Sequence, residues 1–250
     1  MKLAYSDDPG NVGIPRYDQA KLNTLTEERV KAGFQIGFHA IGDRAAAMAL
    51  DAFSAADAAT HVASPPKDGS QQRSGRNRIE HAQVVDPADI ARFKKLNIIA
   101  SMQPNHLLTD MRWAETRLGP ARARYSYAWK AFVDAGVPLA FGTDYPVEPV
   151  TPFRGVYAAV TRKDEAGRQT FYPENALTIS HAVYAYTQGS AYAEFSESWK
   201  GKLIPGYAAD FVVLDRDLTV IPPADILNTK VLRTIVGGNQ VYLGGIRIQL

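Results

Sequence analysis

The chain has 250 residues, of which 46% are apolar, so it has enough apolar side chains for one β/α barrel or for two smaller domains. Its net charge of +2 arises from mixed signs, which speaks against a nucleic-acid-binding or membrane-surface protein. Cysteine is absent, which excludes disulfides and thiolate metal ligands, so any metal site must use histidine and carboxylate side chains.

The first quarter of the chain predicts two helices and one strand. Residues 1–23 are polar and rich in turn formers, which is typical of an excursion rather than a core element. A helix is expected to open at Thr26, with threonine as its N-cap and acidic residues in the first turn. A strand at 34–39 and an alanine-rich helix from Asp43 to Ala58 follow, and the polar segment 59–76 predicts a mobile loop.

The next segments continue this alternation. Asp86 and Pro87 are typical of an N-cap and a first helical residue, and they predict a helix that runs to Leu96. Another helical stretch is expected to end at Gly136. Strands are predicted at 34–39, 77–82, 97–103 and 137–142. The resulting βαβαβαβ order indicates an α/β fold with a parallel sheet or barrel, although a closed barrel needs eight strands.

The pattern changes after Pro146. Helices are predicted near 152–162 and 177–195, followed by a strand at 209–215. Gly237 and Gly238 before Asn239 indicate a hairpin between two further strands. This last part predicts a small β unit.

No signal peptide is visible after Met1, and no run approaches the roughly 20 apolar residues of a membrane helix. These features predict a cytoplasmic protein without nucleic-acid or membrane partners. An exported form stays open if further residues precede Met1.

Three residues follow or end apolar, strand-like runs: His39, His81 and Asp144. Two imidazoles and a carboxylate at strand exits are typical of a metal-assisted site on a β/α barrel. In that interpretation Asp144 both contacts the metal and takes a proton from water. Taken singly, each histidine also fits an ordinary core position, and Asp144 beside glycine and proline fits an ordinary turn.

Several polar side chains fall in the loops beside these residues and are predicted to contact a small polar carbonyl substrate: Arg44, Gln83, Gln103, His106 and Tyr145. The sequence has no P-loop, no Gly-x-Gly-x-x-Gly motif and no nucleophile elbow.

Six motifs occur in a fixed order: His39-Ala-Ile-Gly-Asp-Arg-Ala45, Arg78-Ile-Glu-His-Ala-Gln83, Ser101-Met-Gln-Pro104, Gly142-Thr-Asp-Tyr-Pro-Val147, Leu177 to Thr187, and Lys200 to Asp215. Together with the opening Tyr5-Ser-Asp-Asp-Pro-Gly-Asn11, this order resembles the C-terminal half of the amidohydrolase superfamily. The branch is family 3, which is related to N-substituted formamide deformylases.

The resemblance implies strands five to eight of a metal-dependent (β/α)8 TIM barrel in residues 1–200 and the C-terminal part of a β-sandwich in residues 201–250. It implies that His39, His81 and Asp144 are the ligands on strands five, six and eight, with Asp144 as general base. It also implies a divalent metal, with zinc as the expected ion and one or two ions in the complete protein. Gly206 would serve a turn and Asp210 a structural role.

One departure from the family is large. No histidine precedes His39, so the His-x-His pair of the first strand has no counterpart, and Lys2 only lies near the expected position of the strand-four lysine. The chain is therefore expected to be a fragment, or a subunit that needs a complementary chain or a homo-oligomer.

Three functions stay open at this point. The first is hydrolysis of a non-peptide C–N bond in an amide, formamide or cyclic amide by metal-activated water. The second is a catalytically inactive half-barrel that binds metal weakly through three ligands. The third is a β/α-barrel isomerase or lyase, because the fold alone does not fix the reaction.

Overall fold

The computed structural model describes residues 1–60 and 75–244. The chain divides into two compact units, which are treated separately below. The first unit is Met1–Met102 with Asp110–Leu139, and the second is Gln103–Thr109 with Ala140–Leu250. Most of the loop predicted at 59–76 lies outside the described residues.

The helices and strands follow one another along the chain in the predicted order. The helices are α1 (Gln19–Lys31), α2 (Asp43–Thr60), α3 (Pro87–Lys95), α4 (Asn105–Leu118), α5 (Pro120–Ala123), α6 (Trp129–Asp134), α7 (Pro152–Thr161), α8 (Ile179–Tyr184) and α9 (Ser190–Ala193). The strands are β1 (Gly37–Ala40), β2 (Arg78–His81), β3 (Ile99–Met102), β4 (Leu139–Phe141), β5 (Phe211–Leu214), β6 (Val231–Val236) and β7 (Asn239–Leu243). Short 3-10 helices cover Pro173–Asn175 and Pro223–Asn228, and a π-helical turn covers Ala185–Gly189.

A parallel sheet with strand order β1-β2-β3-β4 confirms the predicted α/β fold. β2 pairs in parallel with β1 in a register that runs to Ala40↔His81, and with β3 in a register that starts at Arg78↔Ile99. The ladder continues beyond β3, where the Ala100 amide donates to the Pro138 carbonyl at 2.9 Å. Alternation of strands and helices along the chain thus produced the sheet that the sequence predicted.

The core of the first unit lies between this sheet and its helices. Ile79 of β2 and Ile99 of β3 are fully buried, as is Leu50 of α2. Phe93 of α3 meets Phe132 of α6 edge-on, with ring centroids 5.0 Å apart. Burial of each such side chain contributes roughly 1.5–3 kcal/mol, so these contacts hold the helices on the sheet.

The predicted start of the first helix is wrong. α1 begins at Gln19, and Asp18 is its N-cap, accepting from the Lys21 amide. Thr26 lies inside the helix, fully buried, and its hydroxyl donates to the Leu22 carbonyl at 2.7 Å. A threonine can satisfy its hydroxyl in this way within a helix, so the acidic residues after it do not mark a first turn.

The first strand also begins later than predicted, at Gly37 rather than at residue 34. Gly33 adopts a φ of +82°, and the Phe34 amide donates to the Arg29 carbonyl at 3.0 Å. Phe34 therefore closes the end of α1, because a left-handed glycine after a helix turns the following amide back onto it.

The prediction for α3 is confirmed at both ends. Asp86 is the N-cap and accepts from the Ala88 amide, Pro87 is the first helical residue, and Leu96 is the C-cap. Lys2 also donates to Asp86 at 2.7 Å and to Asp89 at 2.8 Å, which fastens the start of the chain to this helix.

The C-terminal hairpin of the second unit is confirmed as well. β5, β6 and β7 form an antiparallel sheet in that order, and β6 and β7 join through Gly237 and Gly238, both with positive φ. The Gly237 amide donates to Asp210 Oδ1 at 2.7 Å, so Asp210 has the structural role that was expected.

Within the described residues, no helix of either unit combines the length and the hydropathy that crossing a membrane requires.

We expect Asp86→Ala to lower the free energy of unfolding by about 1 kcal/mol, because the variant loses the N-cap of α3. Urea denaturation at pH 7 measures this loss. The hydrogen bond from Lys2 lowers the pKa of Asp86 below its usual 3.8. The stabilisation is therefore fully present above pH 3.8 and is lost as the pH falls through the lowered pKa, where variant and wild type converge.

The matched control is Asp134→Ala, which removes only an exposed i,i+4 pair with Lys130. Its expected cost is about 0.3–0.5 kcal/mol. An equal loss in the two variants would contradict the capping role of Asp86.

Candidate active site

In the first unit, the two predicted histidine ligands lie side by side. His39 is the third residue of β1, and His81 is the last residue of β2. Their ring centroids are 4.3 Å apart with an interplanar angle of 69°. His39 is exposed, whereas His81 is only 9% exposed. Parallel pairing of the two strands places both imidazoles near the same end of the sheet.

The backbone beside the predicted ligands is strained. His81 has a φ of +72° and Ala82 a φ of +44°, and the Ala82 amide donates back to the Glu80 carbonyl at 3.0 Å. In the second unit, Asp144 has a φ of +60°. Left-handed backbone at residues other than glycine costs on the order of 1–3 kcal/mol and persists where the surrounding structure enforces it, often at binding sites. The strain therefore marks His81 and Asp144 as residues with an imposed conformation.

In the second unit, Asp144 pairs with His106. Its Oδ2 lies 3.1 Å from Nε2 of His106, which belongs to the first turn of α4. The other ring nitrogen, Nδ1, lies 3.6 Å from Glu148 Oε1. His106 therefore stands between two carboxylates, and one of them belongs to the predicted general base.

Glu148 is a residue that the sequence analysis missed. It is 6% exposed, accepts from the Thr109 hydroxyl at 2.6 Å, and accepts from Arg154 at 3.0 Å. A hydrogen bond to Glu165, followed by the one to Glu148, raises the pKa of Arg154. The only sequence signal for Glu148 was its place two residues after Pro146, in a segment that also fits an ordinary exposed turn.

Two side-chain hydroxyl groups donate hydrogen bonds to backbone carbonyls at the end of β4, the strand that precedes Asp144. The Ser190 hydroxyl lies 2.9 Å from the Phe141 carbonyl, and the Tyr186 hydroxyl lies 3.4 Å from the Gly142 carbonyl. Burial raises the pKa of Tyr186, so its hydroxyl keeps the proton that it donates. Gly155 of α7 permits this arrangement, because a Cβ there would collide with the Tyr186 hydroxyl.

Gln83, a predicted substrate residue of the first unit, belongs to a buried network. Its Nε2 donates to Asp110 Oδ2 at 2.5 Å and to the Tyr127 hydroxyl, which in turn donates to Asp110. The Tyr127 amide also donates to the Gln83 carbonyl at 2.8 Å. All three side chains are buried. This network fixes the Gln83 amide, with its nitrogen toward the carboxylate.

The remaining predicted substrate residues are more open to solvent. Arg44 is the second residue of α2 and is exposed. Gln103 directly follows β3 and is half-buried, and Tyr145 is 68% exposed. His39, Arg44, His81 and Gln83 thus belong to the first unit, whereas Gln103, His106, Asp144 and Tyr145 belong to the second.

Comparison with known proteins identifies the family. A family model described as "Amidohydrolase family" matches residues 2–242. The chain belongs to the amidohydrolase family. Its segment is 34% identical to the putative amidohydrolase YtcJ of Bacillus subtilis, over 97% of this chain and 44% of that protein. It is 36% identical to the protein LONG AFTER FAR-RED 3 of Arabidopsis thaliana, over 95% of this chain and 39% of that protein.

Two further relatives carry chemical names. The N-substituted formamide deformylase of Arthrobacter pascens is 26% identical over 91% of this chain and 40% of that protein. A crystal structure of an uncharacterized metal-dependent hydrolase from Pyrococcus horikoshii matches with a TM-score of 0.74 and 33% identity, over 88% of this chain and 42% of that one. This amidohydrolase chain therefore spans less than half the length of these relatives.

Each unit of this amidohydrolase contains side chains of the kind that bind a divalent metal. Imidazole nitrogens and carboxylate oxygens are the donors that zinc takes when cysteine is absent. His39 and His81 offer adjacent imidazoles, and Asp144 offers a carboxylate whose Oδ2 already accepts a nitrogen contact.

We expect Tyr127→Phe to lower the free energy of unfolding by about 1.5–3 kcal/mol, because it removes a donor from the buried Asp110 carboxylate. Chemical denaturation measures the loss. Tyr242→Phe is the matched control, since Tyr242 is 38% exposed and its hydroxyl forms no hydrogen bond with the residues that the structure describes, so the stability of this variant should be unchanged. A similar stability for Tyr127→Phe and wild type would show that the network adds nothing to the fold.

Proposed function

We propose that residues 1–200 are strands five to eight of a metal-dependent (β/α)8 barrel and that residues 201–250 are part of a β-sandwich. The complete protein is then an amidohydrolase that cleaves a non-peptide C–N bond. The parallel order β1-β2-β3-β4 and the separate antiparallel sheet β5-β6-β7 support this architecture. The chain covers 44% or less of each of these relatives. This coverage supports the proposal that the chain corresponds to about half of an amidohydrolase.

The observation that carries the proposal is the conformation and pairing of Asp144. This carboxylate follows β4, has a left-handed backbone and contacts His106, within the segment that matches the family. We propose that His39, His81 and Asp144 hold a divalent cation, with zinc as the preferred ion. Arg44, Gln83, Gln103, His106 and Tyr145 are proposed to contact the substrate.

A divalent cation at these residues would polarise the amide carbonyl and lower the pKa of water toward about 7. Asp144 acts as general base at Oδ1, since Oδ2 is held by His106 Nε2. It takes a proton from the attacking water and returns it to the leaving nitrogen. The C–N bond breaks, one water is consumed, and a carboxylic acid and an amine are released.

The choice of a C–N bond rests on family membership and on the name of the formamide deformylase relative. The chain contributes polar groups that suit an amide. The Oε1 of Gln83, whose amide nitrogen is held by Asp110 and Tyr127, can accept from an N–H group, and the exposed Tyr145 hydroxyl can hydrogen bond with a carbonyl or an N–H group.

Metal affinity tests the ligand assignment. We expect the 250-residue chain to bind Zn²⁺ weakly, and we expect His39→Ala, His81→Ala and Asp144→Asn each to abolish the binding seen in competition with a chromogenic chelator. His106→Ala should reduce affinity about 10–100-fold, because it removes a group that orients a ligand. His181→Ala is the control, since His181 is exposed and its Nδ1 lies 3.1 Å from the Thr178 hydroxyl, away from the proposed ligands in the sequence. Unchanged affinity in Asp144→Asn would refute the assignment.

Activity tests the reaction. The complete protein, loaded with Zn²⁺, should hydrolyse at least one member of a panel of formamides, acyl amides and cyclic amides. Asp144→Asn should lower kcat by about 10²–10⁴-fold, the usual contribution of a general base. Hydrolysis of no panel member would reject the amidohydrolase function, and an in-frame His-x-His codon pair upstream of Met1 would support the missing-half interpretation.

A further inference from the structure

The first unit contains a cavity of about 1000 Å³, and its lining includes Arg44 and Gln83, two of the residues proposed to contact the substrate. Its walls come from the segment 12–17, from α2 and from the part of α4 that belongs to this unit. This volume is at the upper end of the range typical of small-molecule sites. His39, one of the proposed ligands, lies in its wall.

The walls of this cavity are mainly apolar and aromatic. The larger apolar lining side chains include Leu22, Phe38, Ile41, Met48 and Trp113, together with Tyr17. Several of them are solvent-accessible, with Ile41 44% and Trp113 43% exposed. Apolar side chains that line a concave surface provide binding energy for a ligand with an apolar body of ring or chain size.

Two exposed arginines line the cavity. Arg16 and Arg44 both line it and are exposed, and among the residues that the structure describes neither guanidinium has a carboxylate partner. The nearest acid on α2, Asp43, accepts at Oδ1 from the backbone amides of Lys2 and Arg44, both at 2.8 Å, and among the described residues it forms no ion pair with an arginine.

A third arginine of the lining shows the contrast. Arg117 binds both oxygens of Asp7, at 3.0 and 3.1 Å, and lies 4.2 Å from the centroid of the Tyr5 ring. Its charge is neutralised within the fold. The charge of Arg16 and Arg44 is left for a ligand, and the planar guanidinium is suited to a carboxylate.

We propose that this cavity binds an anionic amphiphile, a molecule with an apolar ring or chain in the cavity and a carboxylate on Arg44 and Arg16. The identity of the ligand rests on the proposed function. The part of the amide substrate that carries the apolar group and the carboxylate occupies this cavity, and the amide group of the substrate lies toward His39. The substrate class is then an amide that carries an apolar group and a free carboxylate.

Binding of unreactive probes tests the proposal without any metal. 4-Phenylbutyrate, 4-phenylbutan-1-ol and 4-phenylbutylamine share one apolar body and differ in charge. Calorimetric titration of the metal-free chain should show 4-phenylbutyrate binding at least about tenfold more tightly than the alcohol, with the amine weakest. Trp113 lies in the cavity wall, so its fluorescence should change on binding, and Trp113→Phe should lose that change.

Arg44→Gln should reduce 4-phenylbutyrate affinity by about tenfold and leave the alcohol unchanged, because only the charge is removed. Arg168→Gln is the control, since Arg168 is 84% exposed in the second unit and lines no part of this cavity. Ala45→Phe, which fills the cavity from α2, should abolish binding of all three probes while circular dichroism and Tm report a folded protein. If Ala45→Phe does not fold, Trp113→Ala should weaken all three probes instead.

Equal affinity for the three probes, or an unchanged preference in Arg44→Gln, would overturn the proposal, as would binding of none. Anion-selective binding together with absent zinc binding would keep the cavity and reject the metal-dependent function. Zinc binding with no anion selectivity would keep the metal-dependent function and reject the proposed ligand of the cavity.

Discussion

Parallel pairing on both sides of β2 is the constraint on which the candidate site of the first unit depends. β1 and β3 fix the register of β2, so His81 must lie at its end, opposite Ala40. The chain then turns at once, because the Ala82 amide bonds back to Glu80 rather than to a neighbouring strand. The left-handed backbone at His81 and Ala82 is the cost of that turn, and the hydrogen-bonded strands on both sides of β2 sustain it.

In both units, buried carboxylates accept hydrogen bonds from several side chains. Glu148 accepts from Thr109 and Arg154, and Asp110 accepts from Gln83 and Tyr127. A buried carboxylate without such donors would cost several kcal/mol, so these residues are held by their partners. Arg44 differs, since its guanidinium is exposed and its charge is unmatched among the described residues. Charges that serve the fold are neutralised, and the unmatched charge at the cavity rim is available to a ligand.

The sequence predicted the features that depend on neighbouring residues. The cap of α3 at Asp86 and the hairpin at Gly237 rest on side chains and backbone angles within a few residues, and both are confirmed. The start of α1 was wrong because Thr26 satisfies its hydroxyl inside the helix, which removes the signal that marked a cap.

Contacts between distant residues were not predictable from periodicity. Gln83 meets Asp110 and Tyr127, which lie 27 and 44 positions away, and no spacing rule links them. Glu148 was missed for the same reason, since its role depends on Thr109, 39 positions earlier. The order of the family motifs identified His39, His81 and Asp144 together as candidate metal ligands, although each of them alone also fitted an ordinary structural position.

The π-helical turn at Ala185–Gly189 determines how the end of β4 is attached. The Ser190 hydroxyl lies 2.9 Å from the Phe141 carbonyl and 3.0 Å from the Ala185 carbonyl inside that turn, and it has one hydrogen to give. One hydrogen therefore serves two acceptors, so the Phe141 carbonyl shares its side-chain donor with a carbonyl of the turn. The carbonyl of Gly142, the next residue toward Asp144, is held separately by the Tyr186 hydroxyl, so both hydrogen bonds at the end of β4 depend on where this turn places its side chains.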